Sequence, residues 1–325
     1  MKFTKRNLWL LIGLALLILA PIGQGRYIVY TLTSWLVFSI AAMGLNLTLG
    51  YAGQISLAQS AFMAVGAYIT ALLTLNGIHW IVAMPIAVLS SFVLGLLIGF
   101  PALRVKGHFL AFVTLAFTTL VFLVLRNEDW LTGGPYGLSG MPRPDFGLFN
   151  TGKNINFYYF TVFIFVIFSL LMYQIVRSPW GRAFKGLREN EIRAESLGVN
   201  TRRITLLAFA IGSAAGGLAG SLMTPLVQFI EPGSFALLHS LRILLMVIVG
   251  GAGFFFGPVV GAGVVIMLPE VLRFTEGYYL MIYAVTVVVL IIFCPKGLVG
   301  LGEIISRKIL KKKEVRKDFE QGAKL

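Results

Sequence analysis

The sequence contains few charged residues and almost no cysteine. Asp, Glu, Lys and Arg make up 12% of its 325 residues, against about 25% in soluble globular proteins. Hydrophobic residues make up 58%, and the mean hydropathy is +0.87. The single cysteine, Cys294, excludes an internal disulfide and is expected to be an inert apolar residue. This composition predicts a polytopic integral membrane protein.

Acidic residues are missing from the middle of every candidate span, because Glu270 and Glu276 lie near span ends and Glu231 in a loop. A proton- or sodium-driven carrier usually keeps an ionisable group there, so their absence argues against ion coupling. No G-x-x-x-x-G-K-[ST] segment is present, so the chain has no phosphate-binding loop of its own. The histidines lie near span edges, where an interfacial position is expected rather than a metal site: His79, His108 and His239. No catalytic residue and no metal site is predicted.

Long apolar runs are abundant. A span needs about 20 mainly apolar residues, and the candidates are 8–22, 28–49, 61–75, 80–102, 109–125, 157–176, 205–225, 240–250 with 258–272 as a broken pair, and 278–294. The first run is similar to a signal peptide, but Pro21 follows the only plausible cleavage point, so we expect it to be retained. These runs predict an all-α, polytopic transmembrane helical bundle of about ten spans, some broken or re-entrant. Eight spans with re-entrant segments is the alternative.

Basic residues dominate the charge, with 27 Lys and Arg against 13 Asp and Glu. Lys and Arg collect on the cytoplasmic side of a membrane, and 21 of the 27 lie before the first span, at residues 104 and 106, in the loop 177–204, or after residue 294. The others are expected on the opposite side: Arg26, Arg126, Arg143, Lys153, Arg242 and Arg273. This asymmetry predicts an N-in, C-in orientation and explains the net charge of +14 without nucleic-acid binding. It divides the chain into a transmembrane domain, 1–304, and a basic cytoplasmic tail, 305–325, that meets the lipid bilayer or stays solvated.

The loop 177–204 is the longest charged segment inside the chain. Seven basic residues alternate there with Glu189, Glu191 and Glu195 on a predicted short amphipathic helix. A loop that only joined two spans would not need this pattern. It predicts a cytoplasmic surface on which a soluble partner docks.

Glycines occur in two patterns, one at every fourth position and one in short Gly-x-Ala-Gly segments. Gly212, Gly216 and Gly220 recur every four residues, as do Gly253, Gly257 and Gly261, and Gly95 and Gly99 form a shorter instance. This spacing favours close helix packing. Separately, a Gly-x-Ala-Gly segment follows an apolar span at residues 50–53 and again at 250–253, where we predict helix breaks.

Broken helices in corresponding parts of two halves indicate a transport pathway, since freed backbone groups can line a cavity. Because the match covers only four residues, whether the two halves of the chain form an internal repeat stays open. Polar side chains cluster near the first break, and they either line the pathway or satisfy freed backbone groups. The predicted pathway residues are Asn46, Gly50, Gly53, Gln54, Ser56, Gln59, Ser60, Gly250, Gly251 and Gly253.

Four segments carry a family resemblance: Gly44 to Tyr68, Arg177 to Asn200, Gly250 to Ala262, and Phe293 to Leu301. They resemble the permease subunits of bacterial ABC importers for branched-chain amino acids, most closely the M-type. The resemblance covers residues 28 to 301.

The resemblance implies a type II ABC-importer-like fold in the bacterial cytoplasmic membrane. It implies a second permease subunit, two cytoplasmic ABC ATPase subunits, and an extracytoplasmic binding protein that delivers Leu, Ile or Val. ATP would be bound by the ATPase partners, so this chain is expected to be no enzyme and to need no cofactor. The coupling loop of the family maps onto Glu191, Ala194, Glu195 and Gly198, with Arg188 and Arg193 orienting its helix. Gly198 is expected to end that helix.

One departure from the family concerns the first break. Many members read Leu-Ser-Leu-Gly-His after Gly-Tyr-Ala-Gly-Gln, whereas this chain reads Ile-Ser-Leu-Ala-Gln, so Gln59 stands where histidine is common. This leaves the cargo open. The alternatives are urea, short amides or another amino acid on the same architecture, and an ion-coupled carrier or channel acting alone.

Overall fold

The computed structural model describes residues 13, 15–105, 108–145, 151–294 and 296–301. The predicted tail, Lys106 and most of the first predicted span before residue 15 lie outside these ranges. The helices are α1 (Arg26–Asn46), α2 (Gln59–Leu75), α3 (Trp80–Ala102), α4 (His108–Asn127), α5 (Asp129–Thr132), α6 (Asn154–Arg177), α7 (Pro179–Glu189), α8 (Glu191–Ser196), α9 (Thr201–Val227), α10 (Leu237–Gly250), α11 (Gly257–Val271) and α12 (Tyr279–Phe293). A π-helical turn, Leu47–Tyr51, extends α1, and 3-10 turns cover Gly134–Tyr136, Pro232–Phe235 and Leu272–Tyr278. Two short strands, β1 (Leu138–Ser139) and β2 (Phe229–Ile230), pair antiparallel.

Seven helical segments of the described residues are long and apolar enough to cross a membrane. They are Arg26–Tyr51, Trp80–Ala102, Phe109–Asn127, Asn154–Arg177, Thr201–Val227, Pro232–Gly250 and Gly257–Phe274. The prediction of an all-α, polytopic bundle is confirmed. Two further apolar helices, α2 and Met281–Leu290 within α12, are shorter. The count of about ten spans and the N-in, C-in orientation stay predictions.

Helix α9 forms the centre of the bundle. In the apolar stretch of 18 residues along α9, 72% is buried inside the bundle, whereas the buried share of the corresponding stretches of α3, α4 and α6 is 22%. Glycine makes this position possible: a Cβ atom at Gly220 would collide with the Met63 carbonyl oxygen on α2, and one at Gly212 would lie 2.9 Å from the Gly44 carbonyl oxygen on α1. Close packing at this glycine run is confirmed.

The second glycine run differs from the prediction. Only Gly257 and Gly261 share a helix, because Gly253 precedes α11 and has φ +88°. A left-handed backbone conformation cannot continue an α-helix, and glycine adopts it without steric cost.

The bundle has two chemically different ends. At one end β1 pairs with β2, and Nε2 of His79 lies 2.6 Å from the carbonyl oxygen of Asp145. At the other end both predicted helix breaks meet helix α7 and the turn that holds Lys296. The charged loop 177–204 therefore lies against the helix breaks.

Candidate functional site

The first helix break is an irregular segment, residues 52–58, between the π-helical turn and α2. Gly53 has φ +72°, and the amide of Gln54 donates to the carbonyl oxygen of Thr48 at 2.9 Å. The amide of Leu57 donates to Thr114 Oγ1 at 2.9 Å. Its carbonyl oxygen accepts from Thr118 Oγ1 at 2.8 Å and from Ser240 Oγ at 2.6 Å. Hydroxyls of α4 and α10 thus replace the helical hydrogen bonds that Leu57 lacks.

The polar side chains Ser56, Gln59 and Ser60, in the break and directly after it, are buried and bonded within the chain. Nε2 of Gln59 donates to the carbonyl oxygens of Ala41 at 3.0 Å and Gly212 at 3.1 Å. The hydroxyls of Ser60 and Ser240 lie 2.7 Å apart, and Ser56 Oγ accepts from the Ala58 amide at 3.2 Å. These contacts satisfy backbone groups, which was one of the two roles expected. A further role of Ser56, Gln59 and Ser60 on a pathway stays a prediction.

The second break, residues 251–256, joins α10 to α11. Gly251 has φ +118°, which favours glycine. A Cβ atom at Gly250 would collide with the carbonyl oxygen of Gly257, and one at Gly297 would collide with the backbone of Gly251. The chain doubles back here so tightly that only glycine backbones fit.

The two breaks touch each other. Oδ1 of Asn46 accepts from the Gly253 amide at 2.8 Å, and Nδ2 of Asn46 donates to the Phe254 carbonyl oxygen at 3.0 Å. A Cβ atom at Gly50 would collide with Asn46 Oδ1 and with the Gly253 amide nitrogen. Nη1 of Arg188, on α7, donates to the carbonyl oxygen of Gly50. We call these five residues the helix-break junction.

A pocket of ≈ 400 Å³ opens beside the helix-break junction. It is lined by Arg188, Ile248, Ala252, Gly253, Phe254 and Lys296. Two of these side chains are cationic, and none is acidic. Sequence reasoning assigned Asn46 to a pathway and Arg188 to coupling, but it gave no signal that the two meet at one place.

The coupling residues lie on two short helices with defined caps. Ser178 Oγ accepts from the Trp180 amide at 3.2 Å at the start of α7, and Asn190 Oδ1 accepts from the Arg193 amide at 3.0 Å at the start of α8. Gly198 follows α8 in the left-handed region, with φ +82°, as predicted for a residue that ends a helix.

Helix α8 presents a mixed apolar and charged surface. Ala194 is buried beneath it, whereas Arg193 and Glu195 are exposed. Ile192 is 77% exposed and Leu197 is 84% exposed. Large apolar residues at this exposure, surrounded by charges, are typical of a surface that another protein covers.

A second groove, of ≈ 710 Å³, separates α8 from the end of α3. Residues of opposite charge line it: Glu191, Glu195, Arg104, Arg202 and Arg203. Gly53 and Gln54 of the first break also line this groove. Among the residues that the structure describes, no group of three or more His, Cys, Asp or Glu is placed to hold a metal ion.

Comparison with known proteins matches this arrangement to one family. Residues 27–293 match the family model described as "Branched-chain amino acid transport system / permease component". The chain is 34% identical to the high-affinity branched-chain amino acid transport system permease protein LivM of Escherichia coli (strain K12) over 321 residues, which cover 91% of this chain and 76% of LivM. It is 26% identical to the probable LivM of Methanocaldococcus jannaschii over 71% of each chain.

More distant relatives are named for the import of a different solute, autoinducer 2. The chain is 26% identical to the autoinducer 2 import system permease protein LsrC of Salmonella choleraesuis (strain SC-B67), over 75% of this chain and 71% of LsrC. No solved structure matches the chain. The match along most of the length, together with the apolar helices, makes this a multi-pass protein of the cytoplasmic membrane. The chain belongs to the family of permease components of branched-chain amino acid transport systems.

Proposed function

We propose that this chain forms part of the pore of an ATP-binding-cassette importer for Leu, Ile and Val, and that separate ATPase subunits drive it by docking on the loop 177–204. The names of the LivM relatives support the cargo. The chain contains no phosphate-binding loop, so hydrolysis of ATP belongs to the partners. A second permease subunit and an extracytoplasmic binding protein complete the assembly.

The hydrogen bond from Arg188 to the carbonyl oxygen of Gly50 carries this proposal. It connects the docking loop directly to the first helix break, and Asn46 extends the connection to the second break. An ATPase that moves α7 and α8 therefore acts on both breaks at once. Chains of packed side chains and hydrogen bonds are one way in which movement at one site reaches another.

The surface of α8 is suited to docking. Ile192 and Leu197 offer exposed apolar area, and Glu195 adds a charge between them along the chain. Burial of such area stabilises a complex by about 25 cal/mol per Å² before the losses of association are subtracted. Because α8 lies next to the helix-break junction, an ATPase bound to α8 is placed to move that junction.

The test is leucine uptake by cells that express the whole importer with Glu195→Arg in this chain. We expect ATP-dependent uptake to fall, because the reversed charge opposes docking. Glu128→Arg, an exposed charge reversal next to α5 at the opposite end of the bundle, is the control, and we expect it to co-purify ATPase like the wild type. Normal leucine uptake by the Glu195→Arg importer contradicts the docking site. Purification of the tagged chain without any ATPase contradicts the class of transporter.

A further inference from the structure

Arg242, which the sequence analysis expected on the side of the membrane opposite the loop 177–204, lies about halfway between the two ends of the bundle. Helix α10 runs from the 3-10 turn beside the β1–β2 pair to the helix-break junction at the opposite end. Arg242 precedes the last residue of α10 by eight positions, which at 1.5 Å per residue is about 12 Å along the helix axis. Its Cζ atom lies 5.9 Å from the centre of the Phe38 ring, near the middle of the span Arg26–Tyr51. The guanidinium is therefore close to mid-depth.

The guanidinium of Arg242 has no charged partner in the part of the chain that the structure describes. The ion pair found there is between Arg273 and Glu270, near the end of α11. Arg242 is exposed, on a face of α10 where Leu238, Leu241 and Ile248 are exposed as well. One cation thus stands among exposed aliphatic side chains of α10, with Tyr283 of α12 near it.

An arginine at the centre of a bilayer is costly when it faces lipid. Insertion scales give about 2.5–3.5 kcal/mol, and such residues almost always face the bundle interior or a water-filled cavity. The open face of α10 also leads to the helix-break junction, because Ile248 lines the ≈ 400 Å³ pocket there. This placement favours a water-accessible path along α10 over contact with lipid.

A second polar group stands beside Arg242. The imidazole of His239 lies 5.2 Å from the same Phe38 ring, and its buried Nε2 atom has no hydrogen-bond partner among the residues that the structure describes. Buried polar atoms without a partner are rare in folded proteins. His239 and Arg242 therefore approach the same Phe38 ring. The interfacial position expected for His239 stays a prediction.

We propose that Arg242 is a binding residue on the translocation pathway and that its guanidinium pairs with the carboxylate of the transported amino acid. Arginine presents two parallel donors that match a carboxylate. The exposed aliphatic groups of Leu238 and Leu241 offer apolar surface for the side chain of Leu, Ile or Val. This inference rests on the proposed function and adds to it a residue that recognises the cargo inside the membrane.

The experiment uses the complete importer, with its second permease, ATPases and binding protein, reconstituted in liposomes. Arg242→Met removes the charge and keeps the bulk, Arg242→Lys keeps the charge, and Arg126→Met, in the last turn of α4, is the matched control. We expect Arg242→Met to import leucine about 10- to 100-fold more slowly, since hydrogen bonds to charged groups are strong. Arg242→Lys retains part of the rate. ATP hydrolysis stimulated by the binding protein and co-purification of the subunits stay unchanged.

Two results overturn the inference. The first is import of leucine by Arg242→Met at the wild-type rate. The second is loss of the second permease subunit from Arg242→Met and its recovery with Arg242→Lys, which identifies an ion pair between subunits instead. Failure of the wild-type importer to transport leucine overturns the proposed function itself and is seen before any variant is compared.

A labelling measurement tests the water-accessible path independently of the transport rate. Arg242→Cys in a Cys294→Ser background has one thiol in this chain. We expect a membrane-impermeant maleimide to react with it in the assembled importer, and leucine-loaded binding protein with ATP to slow the reaction. Absence of labelling places the residue against lipid or protein and overturns the inference.

Discussion

Replacement of Asn46 by alanine tests whether the helix-break junction holds the two breaks together. The side chain of Asn46 makes two hydrogen bonds to the second break, one with the Gly253 amide and one with the Phe254 carbonyl oxygen. Alanine removes both and provides no substitute. The breaks would then be joined mainly through Arg188 and backbone packing.

The magnitude follows from these two bonds. Hydrogen bonds between side chains in membrane proteins contribute about 0.6 kcal/mol on average, and typical protein hydrogen bonds about 0.5–1.5 kcal/mol. Gly253 and Phe254 are only partly buried, so water from the adjoining pocket can reach the freed groups and limits the loss. We expect opening of the junction to become easier by about 1–3 kcal/mol, which is about a 5- to 150-fold change in its equilibrium.

Cys294 provides the assay. It is the only cysteine of the chain, it is buried, and Gly297 beside it packs on Gly251 in the second break. Opening of the junction should expose its thiol, so the labelling rate of Cys294 by a maleimide, measured by peptide mass spectrometry, should rise with Asn46→Ala. Asn76→Ala is the control, because Asn76 donates to the Leu72 carbonyl oxygen on the exposed end of α2. Equal labelling rates in the wild type and in Asn46→Ala would refute the reasoning.

Three more substitutions, two of them paired with a control variant, test the fold and the docking surface. Gly66→Ala brings a methyl group into the backbone of α9 and should lower the free energy of unfolding by about 1–3 kcal/mol. Gly186→Ala is the control: its new Cβ has one neighbouring atom at 3.9 Å, so its melting temperature should equal or exceed that of the wild type. Equal melting temperatures of Gly66→Ala and Gly186→Ala contradict the close packing of α2 on α9. Ser240→Ala should destabilise by about 1–3 kcal/mol because the first break loses its hydroxyl partner, whereas Ser34→Ala, on the exposed side of α1, should melt like the wild type. Leu197→Asp should leave the free energy of unfolding within about 0.5 kcal/mol of the wild type, because the residue is exposed. It should reduce the amount of co-purified ATPase by about 10-fold. Undiminished ATPase recovery excludes this residue from the interface.

Local patterns predicted the helices well. Apolar runs gave spans that overlap helices α1 to α4, α6 and α9 to α12, because run length and helix rise are properties of the local chain. Both Gly-x-Ala-Gly segments are helix breaks, since Gly53, Gly251 and Gly253 have the positive φ angles that glycine accepts most easily. Gly198 ends α8 for the same reason.

Contacts between distant residues were not predictable from these patterns. Asn46 and Gly253 are separated by 207 positions, and no periodicity in either segment indicates the other. Gln59 and Ser60 were recognised as polar, but their partners on α1, α9 and α10 were not. Which of two roles a buried polar group has depends on the neighbours that packing brings to it.

The sequence by itself determined a membrane bundle, its family, its two breaks and its charged loop, because hydropathy, charge and glycine spacing act locally. Only the tertiary structure decided that both breaks and the loop meet at Asn46 and Arg188, and that Arg242 lies at mid-depth of the bundle. The physical reason is that the depth of a residue depends on where its helix begins and ends in space. The 3-10 turn before α10 and the break after it fix that depth together.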